Sequence, residues 1–106
     1  MSKMCLLSAL SGVAIVLATL PAQAATVQVL IEKLVYSPVE IQATVGDTIE
    51  WVNKDIMVHT ATVDGVFDVN IAARKSESMV VTKAGIFDYY CRFHPNMRAR
   101  LVVRAK

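Results

Sequence analysis

The residues best suited to metal chemistry lie close together near the end of the chain. Cys91, His94 and Met97 share the seven-residue run CRFHPNM. A second histidine, His59, lies far upstream on a separate segment. Thiolate and thioether sulfurs suit copper, whereas imidazole suits copper, zinc and iron. The spacing therefore indicates one site that combines soft sulfur with borderline nitrogen donors.

Each of these residues alone has a simpler explanation. A single cysteine, methionine or histidine is more often a core or surface residue than a ligand. Their joint occurrence favours a metal, because the chain has 2 histidines and one of them lies in the same short run as Cys91. Zinc is the alternative metal, but structural zinc sites usually take only cysteine and histidine. Two histidines, one cysteine and a weak methionine are instead the ligand set of a blue-copper electron-transfer centre.

The first 24 residues have the layout of a secretory signal peptide. Lys3 precedes the uncharged run 5–20, and Ala22 and Ala24 form the small-x-small pattern of a cleavage site. The pattern predicts cleavage after Ala24 and a periplasmic location. The alternative is an uncleaved membrane anchor, which needs about 20 apolar residues. The run is shorter and contains polar residues, so we expect a cleaved signal peptide and no membrane span afterwards.

Residues 25–106 then form one small domain. Cleavage removes Cys5, so Cys91 is left without an intrachain disulfide partner and needs another role. The hydrophobic content of 55% allows a core and argues against a disordered tail. With 11 basic against 9 acidic residues, the chain has too little net positive charge to attract the phosphates of a nucleic acid, so no nucleic-acid partner is expected.

The domain is predicted to consist of short strands. Apolar and polar residues alternate with the two-residue period of half-buried strands. The clearest inward faces are Val27, Val29 and Ile31; Ile49, Trp51 and Asn53; and Phe87, Tyr89 and Cys91. Residues 71–74 are expected to form a short turn of helix or a loop. About seven or eight such strands with frequent turns favour an all-β sandwich or barrel.

These strands must bring the donor residues together. Cys91 ends an inward-facing strand, so its sulfur is expected at one end of the sandwich. A loop before the last strand, 98–104, would present His94 and Met97 to the same point. Pro95 limits the conformations of that loop. His59 is expected to arrive from the other sheet and close the site.

The same run resembles the cupredoxins, and its C-x2-H-x2-M spacing is similar to that of the amicyanin-like members. The segments 45–53 (VGDTIEWVN), 57–59 (MVH) and 85–91 (GIFDYYC) also resemble cupredoxin strands, so the likeness covers most of residues 27–104. The resemblance implies a Greek-key β-sandwich or barrel and one type 1 copper per chain. It makes His59, Cys91 and His94 the equatorial ligands and Met97 the long axial one.

The resemblance also implies a carrier that shuttles single electrons, and not an enzyme. All four positions on the metal would be filled by protein, whereas catalytic metals keep one open. The implied partners are a c-type cytochrome or a periplasmic dehydrogenase such as methylamine dehydrogenase, and the carrier itself is expected to be a monomer. The alternatives are a periplasmic copper-buffering protein, disfavoured by the lack of Met-rich or His-rich runs, and a structural domain with a reactive Cys91.

Four residues near the ligands carry further expectations. By resemblance, Asn53 ties the two ligand-bearing segments together, although it could also be a turn residue. Phe93 stands where proline is usual, so its N–H could donate to the Cys91 sulfur and raise the reduction potential. Arg92 and Arg98 flank the ligand run and either steer an acidic partner or form a solvated strand face.

An apolar surface is also expected around His94. Its members would be Met57, Val58, Phe93 and Pro95, and transient redox encounters use small interfaces of this kind. The alternative is that Phe93 packs inward.

Overall fold

The computed structural model describes residues 12–15, 17 and 23–106. The predicted signal peptide falls mostly outside these residues. The described part of the chain folds as nine strands without a helix. Among these residues there is accordingly no helix that is long and apolar enough to cross a membrane.

The nine strands follow one another with short turns. Their bounds are β1 Thr26–Glu32, β2 Val35–Ser37, β3 Glu40–Thr44, β4 Thr48–Asn53, β5 His59–Val63, β6 Phe67–Ile71, β7 Ser76–Val80, β8 Gly85–Cys91 and β9 His94–Arg104.

The strands form two mixed sheets. One sheet has the order β2-β1-β4-β7, and the other has the order β3-β9-β8-β5-β6. β1 runs parallel to β4, and β3 runs parallel to β9, whereas the remaining pairs are antiparallel. The all-β sandwich predicted from the alternation is therefore confirmed.

The core lies between the two sheets and is built from the predicted inward faces. Val29 and Ile31 of β1 are fully buried, as are Ile49 and Trp51 of β4. Tyr36, Trp51 and Tyr89 meet edge to face, with ring centroids 4.9 Å (Tyr36–Tyr89) and 5.7 Å (Trp51–Tyr89) apart. Such edge-on packing adds to the stabilisation that burial of the rings provides.

The strand prediction was incomplete at three places. It missed β2, which has three residues, and β6, which ends at residue 71. Residues 72–74 form a loop, which was one of the two alternatives expected for 71–74. The last strand begins at His94 and not near residue 98. His94 and Met97 therefore lie on extended backbone that is continuous with β9, and the predicted loop between Cys91 and the last strand shrinks to a two-residue turn.

Candidate metal centre

Two of the predicted ligands are held together by strand pairing. Cys91 is the last residue of β8 and His94 is the first of β9, with a turn at Arg92 and Phe93 between them. Cys91 and His94 are direct partners across the two strands, next to a register shift between Tyr90 and Cys91. Such an irregularity re-aims a side chain at the end of a strand.

His59 comes from the neighbouring strand of the same sheet. It is the first residue of β5, and β5 pairs with β8 through Thr62 and Tyr90. The expectation that His59 arrives from the other sheet was wrong. Adjacent strands lie about 4.8 Å apart, so a ligand on β5 reaches the β8 end without a long side-chain extension.

The donor atoms of these three residues converge. The Cys91 Sγ lies 3.7 Å from His59 Nδ1 and 3.7 Å from His94 Nδ1. The two imidazole rings are 5.1 Å apart between centroids. Cys91 and His59 are completely buried, whereas His94 is half-buried at the end of the sandwich. The cluster therefore has one face towards solvent, through the His94 ring.

Met97 lies at the same end of the fold. It is buried, with 4% of its surface exposed, and it lines a shallow cavity together with Leu34, His94, Pro95 and Asn96. The structure thus brings all four predicted ligand residues to one end of the molecule.

Asp55 is a partner of the site that the sequence interpretation missed. Its Oδ2 lies 2.7 Å from His59 Nε2. A carboxylate can only accept, so Nε2 carries the proton and Nδ1 presents its lone pair on the side of Cys91. Carboxylates commonly orient metal-binding histidines in this way. An aspartate four residues before a candidate ligand histidine is a sequence signal that could have indicated this contact.

The same carboxylate holds a strained turn. Lys33 and Leu34 join β1 to β2 with φ of 53° and 62°, which side chains other than glycine rarely adopt. Their amides donate to Asp55 Oδ1 and Oδ2 at 2.7 and 3.0 Å. Burial alone would raise the pKa of Asp55, but the Leu34 N–H, the His59 ring and the Lys33 N–H outweigh it and keep that pKa low. One ionised carboxylate therefore couples the β1–β2 turn to His59.

Thr60 links β5, which carries His59, to the end of β8, which carries Cys91. Its N–H donates to Cys91 Sγ at 3.4 Å, and its Oγ1 accepts the Arg92 N–H at 2.9 Å. Thr60 follows His59 directly and Arg92 follows Cys91 directly. The first bond ties the residue after His59 to the Cys91 sulfur, and the second ties it to the residue after Cys91.

Two expectations about neighbouring residues were wrong. Asn53 does not join the ligand strands; its side-chain amide donates to the carbonyls of Met57, Ile71 and Ala72, and its Oδ1 accepts the Asp55 N–H. It fixes the β4–β5 loop, which is the turn role that the sequence left open. The backbone N–H that donates to the Cys91 sulfur in the described part of the chain belongs to Thr60. The Phe93 N–H does not make this bond.

The donor set fits a copper ion. A sulfur about 2.3 Å and a nitrogen about 2.1 Å from one ion can be no more than about 4.4 Å apart, and both sulfur–nitrogen separations of 3.7 Å meet that limit. One thiolate, two imidazoles and a nearby thioether favour copper over zinc.

Comparison with known proteins agrees with the fold and the donor set. The profile of the Cupredoxin-like domain family matches residues 5–103. The chain belongs to the cupredoxin-like family. This confirms the resemblance drawn from the ligand run and the strands around it.

Amicyanins are among the similar members of this family. The chain is 38% identical to an amicyanin of Paracoccus denitrificans over 69% of its own length, and it spans 61% of that protein. It is 33% identical to an amicyanin of Paracoccus versutus over 81% of its length, spanning 69% of that protein. A proline-to-glycine mutant of amicyanin, solved in its reduced Cu(I) form at pH 4, is 33% identical with a TM-score of 0.67; the match covers 82% of this chain and 88% of that one.

Replacement of Asp55 by alanine tests its coupling of the turn to His59. We expect Cu(II) affinity to fall about 10- to 100-fold, as is usual when the partner of a ligand histidine is removed. The thermal midpoint of the metal-free protein should fall as well, because the strained turn loses both acceptors. Competition with a chelator measures the first effect and calorimetry the second.

Asp64→Ala is the matched control, since Asp64 accepts a hydrogen bond from the Tyr90 hydroxyl at 2.7 Å and is not bonded to His59. Equal copper affinities for the Asp55 variant, the Asp64 variant and the unmodified protein would contradict this role.

Proposed function

We propose that this protein is a periplasmic blue copper protein that carries single electrons between redox partners. His59, Cys91, His94 and Met97 would hold one type 1 copper. The observation that carries the proposal is the placement of both histidine Nδ1 atoms 3.7 Å from a fully buried cysteine sulfur. The presence of amicyanins among its similar relatives supports the same function.

Copper held by these residues would supply the one-electron Cu(II)/Cu(I) couple. The protein's part is to keep its donors in place in both states. The ligands Cys91, His94 and His59 lie on adjacent strands, and Asp55 fixes the His59 ring. Thr60, which follows His59, is hydrogen-bonded to Arg92, which follows Cys91. Burial keeps water from Cys91 and His59. Protein donors fill the site, which suits electron transfer and leaves no position for a substrate.

The surface around His94 is suited to partner docking. Phe93 is 49% exposed and does not pack inward. Exposed Pro95 and Leu34 line the same cavity as the half-buried His94. Ile56 and Met57 are also exposed in the loop that Asp55 and Asn53 anchor. We name these five residues (Leu34, Ile56, Met57, Phe93 and Pro95) the apolar rim.

The apolar rim would allow a partner's redox group to approach the His94 ring edge without displacing much bound water. Small interfaces are typical of weak redox encounters. By resemblance, the partner would be a c-type cytochrome or a periplasmic dehydrogenase such as methylamine dehydrogenase.

Ion pairs reduce the expected steering by arginine. Arg92 Nε lies 3.0 Å from Asp68 Oδ1, and Arg100 Nε lies 2.8 Å from Asp88 Oδ1. Arg98 stacks over the Tyr90 ring, 5.7 Å from its centroid. Because Asp68 already pairs with Arg92, one of the two arginines expected to steer a partner, the apolar rim is a stronger candidate than charge for setting the encounter.

Repeated redox cycling distinguishes a carrier from a copper-buffering protein. The copper-loaded protein would be reduced with ascorbate and reoxidised with ferricyanide while a Cu(I)-specific chelator is present. A carrier retains its copper and regains its full visible absorbance in each cycle, because its donors hold the ion in both states. Cys91→Ser is the control and should lack the charge-transfer colour from the start, because it has no thiolate. Transfer of copper to the chelator at the first reduction would contradict the carrier function.

The position of the first strand supports removal of residues 1–24. Residues 23–25 are exposed and irregular, and β1 begins at Thr26. Val13, Ile15 and Leu17 of the leader are 76–84% exposed, so they do not pack on the domain. Cleavage after Ala24 would therefore leave the sandwich and its core complete.

Cleavage at this bond would also create a new ion pair. The Ala25 nitrogen lies 2.9 Å from Asp47 Oδ1. Bonds from the Ala25 and Thr44 amides keep the pKa of Asp47 low, so the carboxylate is ionised at neutral pH. After cleavage this nitrogen is an α-ammonium, whose pKa in an unfolded chain is about 7.7–8.0. The carboxylate would raise the pKa of this ammonium in the folded state.

The thermal midpoint of the processed protein should therefore fall as pH rises from about 7.7 through the raised pKa. The stabilisation is complete below that range, because the ammonium is then charged in both states. Calorimetry at pH 7 and 9.5 measures the change.

Asp47→Asn should flatten this pH dependence. N-terminal sequencing of the exported protein checks that the chain begins at Ala25. A start elsewhere, or an equal midpoint shift in the Asn variant, would contradict the proposed ion pair.

A further inference from the structure

A chain of hydroxyl groups runs away from the metal centre through the sheet. Thr60 Oγ1 accepts the Arg92 N–H at 2.9 Å and lies 2.8 Å from Thr62 Oγ1. Thr62 Oγ1 in turn lies 2.7 Å from Asp68 Oδ1. Thr60 and Thr62 are buried on β5, with 0% and 3% exposure. Asp68 is the partner of Thr62 on β6.

The hydrogen bonds of this chain can point in only one direction. The Thr62 hydroxyl and the Arg92 guanidinium hold the pKa of Asp68 low, so its carboxylate only accepts. Thr62 must therefore donate its single proton to Asp68. The Thr60 hydroxyl must then donate to Thr62, which leaves the Thr60 oxygen free to accept the Arg92 N–H.

The chain closes on itself through the side chain of Arg92. Arg92 Nε donates to the same Asp68 Oδ1 at 3.0 Å. The ring thus contains the main chain and the side chain of Arg92, two buried hydroxyls and one carboxylate. The ion pair between Asp68 and Arg92 anchors the chain at the surface: the Asp68 side chain is 53% exposed and the Arg92 side chain is 40% exposed.

We propose that Thr62 and Asp68 are positioning residues for the metal centre, which act by fixing Thr60 and Arg92 beside His59 and Cys91. The inference rests on the proposed copper site. Neither Thr62 nor Asp68 is hydrogen-bonded to a predicted ligand. They act on Thr60 and Arg92, which follow His59 and Cys91 in the chain. Through Thr60 they also act on the N–H that donates to the Cys91 sulfur at 3.4 Å.

Breaking the chain has a defined consequence. Without the Thr62 hydroxyl, the buried Thr60 hydroxyl loses its acceptor, and a buried donor without a partner is costly. Thr60 then moves or rotates to find another acceptor, and its bonds to Arg92 and to the sulfur lengthen. An N–H that donates to the sulfur favours the more negative, reduced site. The reduction potential should therefore fall when this bond weakens.

Thr62→Val and Thr62→Ser are the matched pair of variants. Valine keeps the shape of threonine and removes the hydroxyl, whereas serine keeps the hydroxyl. We expect Thr62→Val to lower the reduction potential and to speed copper loss to a chelator about 10-fold, in the range known for the outer partners of metal ligands. Thr62→Ser should stay close to the unmodified protein in both measurements.

Asp68→Ala tests the anchor of the chain. Like Thr62→Val, it should lower the reduction potential and speed the loss of copper to a chelator. The double variant should show little further change, because either substitution breaks the same chain. Strictly additive effects would overturn the proposal.

Hydrogen exchange in the metal-free protein separates this inference from the copper function. The Arg92 and Thr60 amides should exchange faster in Thr62→Val and Asp68→Ala than in Thr62→Ser. Thr62→Val could instead lower the thermal midpoint while leaving the exchange of these two amides and the reduction potential unchanged. That result would mean that Thr62 only stabilises the fold, and it would overturn the proposal. Failure of the unmodified protein to bind copper would instead overturn the proposed function.

Discussion

The antiparallel pairing of β8 with β9 sets the distance between the Cys91 sulfur and the His94 ring. A two-residue turn separates the strands, so the two side chains leave the backbone as direct neighbours. β5 lies on the other side of β8 and adds His59 at nearly the same level. Three donors thus come from three adjacent strands of one sheet. The second sheet covers them and supplies much of the core.

His59, Asn53 and Tyr36 are buried polar side chains near this end of the sandwich, and each has a hydrogen-bond partner. His59 is fully buried, and its Nε2 is hydrogen-bonded to Asp55. The side-chain NH2 of Asn53 donates to three backbone carbonyls. Tyr36 of the opposite sheet donates its hydroxyl to the Thr60 carbonyl. Burial raises the pKa of Tyr36, so this hydroxyl remains a donor. Such networks leave the donors little freedom to rearrange, which a site that cycles between two oxidation states requires.

The sequence predicted the fold class and the grouping of the four candidate ligands because both leave local patterns. Alternation marks β1, β4 and β8, and the short spacing from Cys91 to Met97 marks the site. The sheet that carries His59 could not be predicted, since strand order depends on long-range pairing. The part played by Thr60 was missed for a related reason, because its contacts with Cys91 and Arg92 join segments distant in sequence. The contact of Asp55 with His59 is local, and the spacing of four residues could have indicated it. Asn53 was assigned by resemblance to a link that Thr60 makes instead.

The most direct test of the copper centre is the spectrum of the purified protein after addition of one equivalent of Cu(II). Convergence of Cys91, His59 and His94 with a weak Met97 predicts an intense visible thiolate-to-copper charge-transfer band and a narrow copper hyperfine splitting in EPR. A pale protein with the wide splitting of ordinary Cu(II) would show that the Cys91 sulfur is not a ligand, and would contradict the account.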